Sequence, residues 1–368
     1  EKLQEMGQAL QEAGIDTNNL AKNTEELQKQ YDKLQKSQEK VAAINEKIDK
    51  NNQAIAQTKS QLTGTIGAIA AVGTAIYAGP VKKAAEFQEQ MSGVKAISGA
   101  TTEEIAQLSN KAKEMGASTK FTATEAGQAM EYMAMAGWKT EDMLGGIEGI
   151  MNLAAASGED LASVSDIVTD ALTAFGLSAS DAGHFSDVLA QASSNANTNV
   201  SMMGSTFQKV APVAGALGYS VEDMSLGIGL MANASIKAEV AGTSLKTALA
   251  NMAKPTDAQA AAMQKYGISL TNADGSMKSF GDVVKNLRSS LGGLSEAEQV
   301  AAATTIFGKE SFAGMLAIVN ASEADFNKLT DAVYNCDGAA KQMAETKLDN
   351  LNGSITLAKS AFDALQVE

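Results

Sequence analysis

A hydroxyl residue followed three positions later by an acid or a glutamine recurs along the second part of the chain, and this pattern constrains the fold more than any other feature. The pairs are Thr101 and Glu104, Thr122 and Glu125, Ser157 and Asp160, Ser178 and Asp181, Ser220 and Asp223, Thr256 and Gln259, Ser295 and Glu298, and Ser322 and Asp325. Each reads as a helix start, because hydroxyl and carboxylate together satisfy first-turn amides that have no partner inside the helix. Gly99, Gly137, Gly176, Gly218 and Gly293 stand where such helices should stop, since glycine takes the left-handed backbone of a helix exit without steric cost. The pattern predicts a series of short helices. Composition agrees: the apolar residues are mainly Ala, Leu, Ile, Val and 17 Met, with 5% aromatics, a set suited to helices packed closely through small side chains.

Residues 1–60 read differently. They lack proline, and apolar residues recur every seven positions at Met6, Ala13, Leu20, Leu27, Leu34, Val41, Ile48, Ile55 and Leu62. Such a row predicts a long coiled-coil helix that associates into a bundle. At 1.5 Å per residue it would span roughly 85 Å from Met6 to Leu62. The companion seam positions hold Asn23, Gln30, Ser37 and Asn51, with Tyr31 and Ile44 as the stronger members, so the seam is narrow and weak, of the register-fixing or re-pairing kind, and a long solvated helix is the other reading. Residues 61–81 form an uncharged, Gly/Ala-rich apolar segment between Lys59 and Lys82. Its length is near that of a bilayer-spanning helix, and glycines at short spacing permit close helix contact. Ile66, Ile69, Val72, Ile76 and Tyr77 are therefore candidates for membrane or bundle contact, with a hinge ended by Pro80 as a further reading.

The third part, residues 82–342, carries an internal repeat. Met-Ala-Gly-Trp-Lys-Thr-Glu-Asp-Met at 135–143 recurs in outline at 174–182 and 216–224, with Gly137, Gly176 and Gly218 spaced 39 and 42 residues apart. Each glycine is followed by an apolar anchor, Trp138, Leu177 or Tyr219, then a cap and a second helix; a unit near 40 residues suits a stacked helical hairpin. Asp274-Gly275 between short apolar runs predicts one small β-hairpin. In residues 343–368, Leu351, Ile355, Ala358, Phe362 and Leu365 form another helical stripe, read as the start of a further amphipathic helix cut short by the chain end. The expected fold class is thus all-α: a long N-terminal coiled-coil helix, then a domain of helical-hairpin repeats of about 40 residues.

Scarcity excludes several functions. Cys336 and His184 are the single Cys and His, so a disulfide scaffold, a conventional zinc module and His-dependent nucleophilic catalysis lack raw material. No Gly-x-Gly-x-x-Gly, Walker loop or Gly-x-Ser-x-Gly elbow is present. An enzyme is not expected, nor any cofactor or metal. His184 reads as a partly buried packing residue. The methionines at 130, 133, 135, 143, 151, 202, 203, 224 and 231 read as core filling, with an adaptable interface as the other use of a thioether. Lys and Arg number 29 against 43 Asp and Glu, and Arg288 is the sole arginine; without a basic stripe, specific nucleic-acid binding is not expected. Glu1 is no initiator and no signal-peptide pattern opens the chain, so it reads as an excerpt or a processed product.

The stretch Ala-Ala-Glu-Phe-Gln-Glu-Gln-Met-Ser-Gly-Val-Lys-Ala-Ile-Ser-Gly-Ala-Thr at 84–101 resembles the core region of phage tail tape measure proteins. So do the runs beginning at Leu108 and Ser118, Ala-Gly-Trp-Lys-Thr-Glu-Asp-Met, Ala-Pro-Val-Ala-Gly-Ala-Leu-Gly-Tyr-Ser-Val-Glu-Asp, residues 241–252 and Ile-Phe-Gly-Lys-Glu at 306–310. The resemblance covers about residues 84–340, and a preceding coiled coil is typical of the family. It implies a structural protein lying in the tail tube, whose extent sets tail length. It also implies scaffolding of tube assembly, ejection ahead of the DNA and passage into the host envelope, with tube and tip proteins as partners. A helical membrane-perforating protein is the competing class. A muralytic enzyme is the weakest: Glu310, in a Glu-Ser pair of a helical domain, resembles the catalytic Glu of lytic transglycosylases, but the rest of that pattern is missing.

Overall fold

The computed structural model describes residues 81–367. The heptad row from Leu20 to Leu62 and the uncharged segment with Ile66, Ile69, Val72, Ile76 and Tyr77 lie outside the described residues.

The described chain is helical almost throughout. In order come α1 (Lys82–Ser98), α2 (Thr102–Ser118), α3 (Ala123–Met135), α4 (Thr140–Ser157), α5 (Leu161–Phe175), α6 (Ala182–Asn195), α7 (Val200–Ala216) and α8 (Val221–Asn233). Then follow α9 (Ala238–Ala253), α10 (Asp257–Tyr266), α11 (Phe280–Leu291), α12 (Glu296–Phe307), α13 (Phe312–Val319), α14 (Glu323–Tyr334), α15 (Ala339–Leu348) and α16 (Leu351–Gln366). A 3-10 turn, Ala179–Asp181, precedes α6.

The capping chemistry accounts for most of the starts. Thr101, Thr122, Ser220 and Thr256 each accept a bond from the amide three residues on and are bonded back by the acid or glutamine there. Ser178 opens the 3-10 turn, and Ser295 and Ser322 open α12 and α14. Ser157 is the exception. It ends α4, because Gly158 closes that helix at a left-handed φ of 81°, and the cap of α5 is Asp160, which accepts from the Ser163 amide at 3.0 Å. Gly293 also departs from expectation: α11 ends at Gly292 with a right-handed backbone, and Gly293 has no positive φ. Within α5, buried Leu161, Val164, Val168, Ala171 and Leu172 repeat at three- and four-residue steps, the single-face pattern of a helix laid on a core. Around Asp274-Gly275 the chain makes a turn with one isolated antiparallel bridge, Thr271 to Met277, and the Asn272 amide donates to the Ser276 carbonyl at 2.8 Å; there is no strand among the described residues.

Helices pack on the next helix but one. α1 lies on α3, α3 on α5, α5 on α7 and α7 on α9, giving one layer; α2 lies on α4, α4 on α6 and α6 on α8, giving a second. The chain then turns back. α14 packs on α8 and α6, α15 on α6 and α4, and α16 on α2, so the last three helices retrace the second layer in reverse order. Polar ties fix the return: Lys83 bridges to Asp363 at 2.9 Å, the Ser360 hydroxyl donates to the Lys120 carbonyl at 2.8 Å, and the Gly338 and Ala340 amides donate to Asp187 at 2.8 Å each. The sole arginine is structural as well. Arg288 donates to the Val319 and Ala321 carbonyls at the end of α13, reaches Glu323 at 3.2 Å and lies over the Phe326 ring.

Two features of the packing depend on small residues. At the α4–α6 crossing, a Cβ on Gly149 would come within 2.7 Å of the Gly183 Cα and 2.9 Å of its nitrogen, so the two backbones touch. In α16 the buried positions are Gly353, Ser360 and Ala364, while Leu351, Ile355, Phe362 and Leu365 are exposed. The stripe expected there exists, but it faces outward, and the small-residue face is turned inward, with Gly353 against the Leu348 backbone and Ser360 bonded to the Lys120 carbonyl.

The Gly149 contact yields a discriminating pair of substitutions. Gly149→Ala forces a methyl into the backbone of α6 and should destabilise the fold by about 1–3 kcal/mol. Gly183→Ala places its methyl in open space and should stay within about 0.5 kcal/mol of the parent. Chemical denaturation of both variants checks this; equal stability of the two would show that the crossing is not a backbone contact.

Candidate functional site

The second and third repeat turns converge with the α14–α15 turn at one place. Gly176 and Gly218 take left-handed φ values of 71° and 75° and send the chain abruptly into Leu177 and Tyr219. These two anchors, with Phe175, Phe185, Asp181, His184 and Glu222, line a cavity of ≈ 190 Å³. Tyr219 is buried against Phe280, ring centroids 5.7 Å apart, and its hydroxyl has no hydrogen-bond partner. Leu177 is partly exposed at the rim. The first repeat's anchor lies elsewhere. Gly137 also has a positive φ, but Trp138 is buried beneath α4, where a Cβ on Gly146 would collide with its ring.

On the rim of this cavity the single histidine meets the single cysteine. His184, in the first turn of α6, pairs through Nε2 with Glu222 Oε1 at 2.5 Å, and its Nδ1 lies 3.4 Å from Asp337 Oδ1. Cys336, the residue before Asp337, is a free, buried thiol. Ligand-capable atoms of His184, Cys336 and Asp337 all lie within 4.8 Å of one another. Partial burial disfavours the imidazolium, but Glu222 and Asp337 outweigh it and hold the His184 pKa above its ordinary value. Burial tends to raise the Glu222 carboxyl, yet its bonds from His184 and Ser220 hold it below the usual carboxylate range. The Cys336 thiol is pushed up to about 12 by burial and by the charges of Asp187, Glu222 and Asp337.

Behind the cluster stands Asp223, the acid of the α8 cap. Buried, it accepts from the Ser220 amide at 3.1 Å, the Phe280 amide at 3.1 Å and the Tyr334 hydroxyl at 2.5 Å, so one carboxylate joins the starts of α8 and α11 to the end of α14. Burial and this bond raise the Tyr334 phenol well above its usual range.

Sequence reasoning missed this assembly. It treated His184 as a packing residue, whereas the ring is about half exposed and the neighbouring Phe185 does the packing. Asp223 reads as part of a local cap with Ser220 and Glu222 stands out in no pattern, and nothing in the sequence joins either to Cys336 and Tyr334 more than a hundred residues later. Of the methionines, 130, 133, 143, 151, 203, 224 and 231 are buried, while Met135 and Met202 are exposed. Glu310 is exposed on the turn before α13, and the neighbouring Ser311 is fully buried.

The fold is that of an all-helical protein built as a layered stack of helical hairpins. The family of phage-related minor tail proteins matches residues 109–308, and the chain belongs to that family, which places it among phage-tail components. It is 41% identical over 290 residues to the tape measure protein of Pneumococcus phage Dp-1, covering 79% of this chain and 25% of that protein. It is 26% identical over 321 residues to a probable tape measure protein of Escherichia phage P2, covering 84% of this chain and 39% of that one. The chain thus spans between a quarter and two fifths of the length of these relatives. No solved structure matches.

The ion pair makes its own pH signature. Because the His184 pKa is raised and that of Glu222 lowered, the pair's contribution is complete between about 4.5 and 6.5, the ordinary values of the two groups. It is lost as pH rises through the folded His184 pKa and as pH falls through the folded Glu222 pKa. In chelator-treated protein the single imidazole resonance should titrate above 6.5 and move down in Glu222→Gln. The melting-temperature gap between the two proteins should be widest inside that window. An unshifted titration midpoint in the variant would rule the pair out.

Proposed function

We propose that this chain is a segment of a tape measure protein that lies in the lumen of the tail tube and sets tail length. In this reading it scaffolds tube assembly, and it leaves ahead of the DNA to enter the host envelope. The observation that carries the reading is the 41% identity to the Dp-1 tape measure protein over 290 residues. The physical chemistry is compatible with it. A ruler needs a fixed rise per residue, and a helix provides one because its backbone bonds are internal. Few aromatic anchors suit a reversible fit to tube and tip proteins. The net charge of −14 repels passing DNA. The heptad row with Leu20, Leu27, Leu34, Val41, Ile48, Ile55 and Leu62 is the natural measuring part, self-associating into a bundle.

Membrane perforation is the competing function. None of the described helices is long and apolar enough to cross a membrane, and the segment that suggests it, residues 61–80, lies outside the described residues.

Removal of three whole heptads, residues 21–41, from the phage-encoded protein keeps the seam in phase. It should shorten the tail by roughly 30 Å at 1.5 Å per residue. Electron microscopy of the virions measures this directly, and a tail of unchanged length would overturn the reading.

A further inference from the structure

We propose that His184, Cys336 and Asp337 form a binding site for a borderline-soft divalent cation, of which zinc is the type, and that the cation fastens the α14–α15 turn to the helical stack. The chain has one imidazole and one thiol, and the fold brings them together across 152 positions of sequence. Zinc takes nitrogen, sulfur and carboxylate ligands at about 2.0–2.3 Å, which sets tetrahedral ligand atoms roughly 3.3–3.8 Å apart. The His184 Nδ1 to Asp337 Oδ1 separation of 3.4 Å already has that value. Closing the wider limit of 4.8 Å to the thiol requires a shift of about 1 Å. His184 and Asp337 have the freedom for it, with side chains 47% and 96% exposed.

The orientation of the imidazole is the stronger argument. Glu222 Oε1 accepts from Nε2–H at 2.5 Å, and this bond fixes the tautomer in which the Nδ1 lone pair points to the side of Asp337. A carboxylate behind a histidine in this way is the arrangement that orients ligating histidines and raises their basicity. As the metal bonds form, the thiol proton passes to solvent, and so does the Nδ1 proton wherever His184 starts as the imidazolium. The carboxylates of Asp187, Glu222 and Asp337, which oppose a bare thiolate, attract the cation. Three protein ligands leave the fourth position to water.

The consequence is mechanical. His184 belongs to α6, and Cys336–Asp337 begin the return of α15 along α6 and α4. A bound ion would strengthen that return by mass action, since it binds the folded arrangement and not the separated one.

Reduced, chelator-stripped full-length chain titrated with zinc chloride should bind one ion per chain and melt at a higher temperature. Titrated with cobalt, it should show a thiolate-to-cobalt charge-transfer band. Cys336→Ser should lose the band. Asp337→Asn, at an exposed position that cannot disturb the core, should weaken binding, and Glu222→Gln should weaken it by about 10–100-fold. Circular dichroism establishes that each variant is folded. Absence of zinc binding by the parent chain, a cobalt complex without the thiolate band, or zinc affinity unchanged in Cys336→Ser and Asp337→Asn would each overturn the proposal; the last would mean that surface acids bind the ion without the thiol.

Discussion

Two helices reach backbone contact only where the crossing carries no intervening side chain, and the stack of residues 81–367 depends on such crossings. Gly149 faces the Gly183 backbone between α4 and α6. Gly242 faces the Thr206 carbonyl between α7 and α9, where an added Cβ would come within 2.7 Å. At the second crossing the Thr206 hydroxyl donates to the Ala238 carbonyl at 2.9 Å, and Ala238 itself holds a left-handed φ of 51°. Close approach maximises dispersion contacts between main chains, which is how a chain with few aromatic rings can still build a dense core. One ring cluster sits where the two layers meet: Phe207 contacts both Phe175 and Phe185 at centroid distances of 5.7 and 5.6 Å.

A stack of hairpins left to itself touches only its neighbours, and its ends fray independently. The return of α14, α15 and α16 changes that by laying one long-range layer across successive hairpins. The contacts of the return close loops that range from about a hundred residues, where Leu329 meets Gly229, to the 280 between Lys83 and Asp363, a cost that grows only slowly with length but must be met by specific ties. The Asp187 bonds to the start of α15 and the Lys83–Asp363 bridge are such ties. The site of His184 and Cys336 sits on the same seam, so the feature that couples the hairpins is also where the chain's scarcest side chains gather.

What the sequence revealed follows from range. Caps such as Thr101 with Glu104 are three-residue events, and they were legible because the partners are fixed by helix geometry alone. The repeat glycines were legible for the same reason. Ser157 misled because Gly158, one position later, outcompeted it, an ordering of two local signals that spacing does not rank. The α16 stripe was legible as a period but not as a direction. Its large apolar side chains lie outside, while Gly353, Ser360 and Ala364 are turned inward. The pairing of Glu222 with His184, 38 residues apart, and of Asp223 with Tyr334, 111 apart, depends on how layers stack, and no window of sequence contains it.

The same geometry separates two kinds of work in the proposed ruler. The longest described helix is α4, with 18 residues, or about 27 Å of rise. Laid end to end as one helix, residues 81–367 would reach roughly 430 Å, yet folded in layers most of that rise cancels as helices reverse. A layered stack therefore adds thickness and stiffness rather than reach, and deleting a hairpin from it breaks the next-but-one packing instead of subtracting a fixed length. A heptad row behaves oppositely, since whole repeats can be removed without changing what any remaining residue faces. On the reading proposed above, length control is assigned to heptad sequence such as that of residues 1–60, and the stacked region to a defined body that accompanies it.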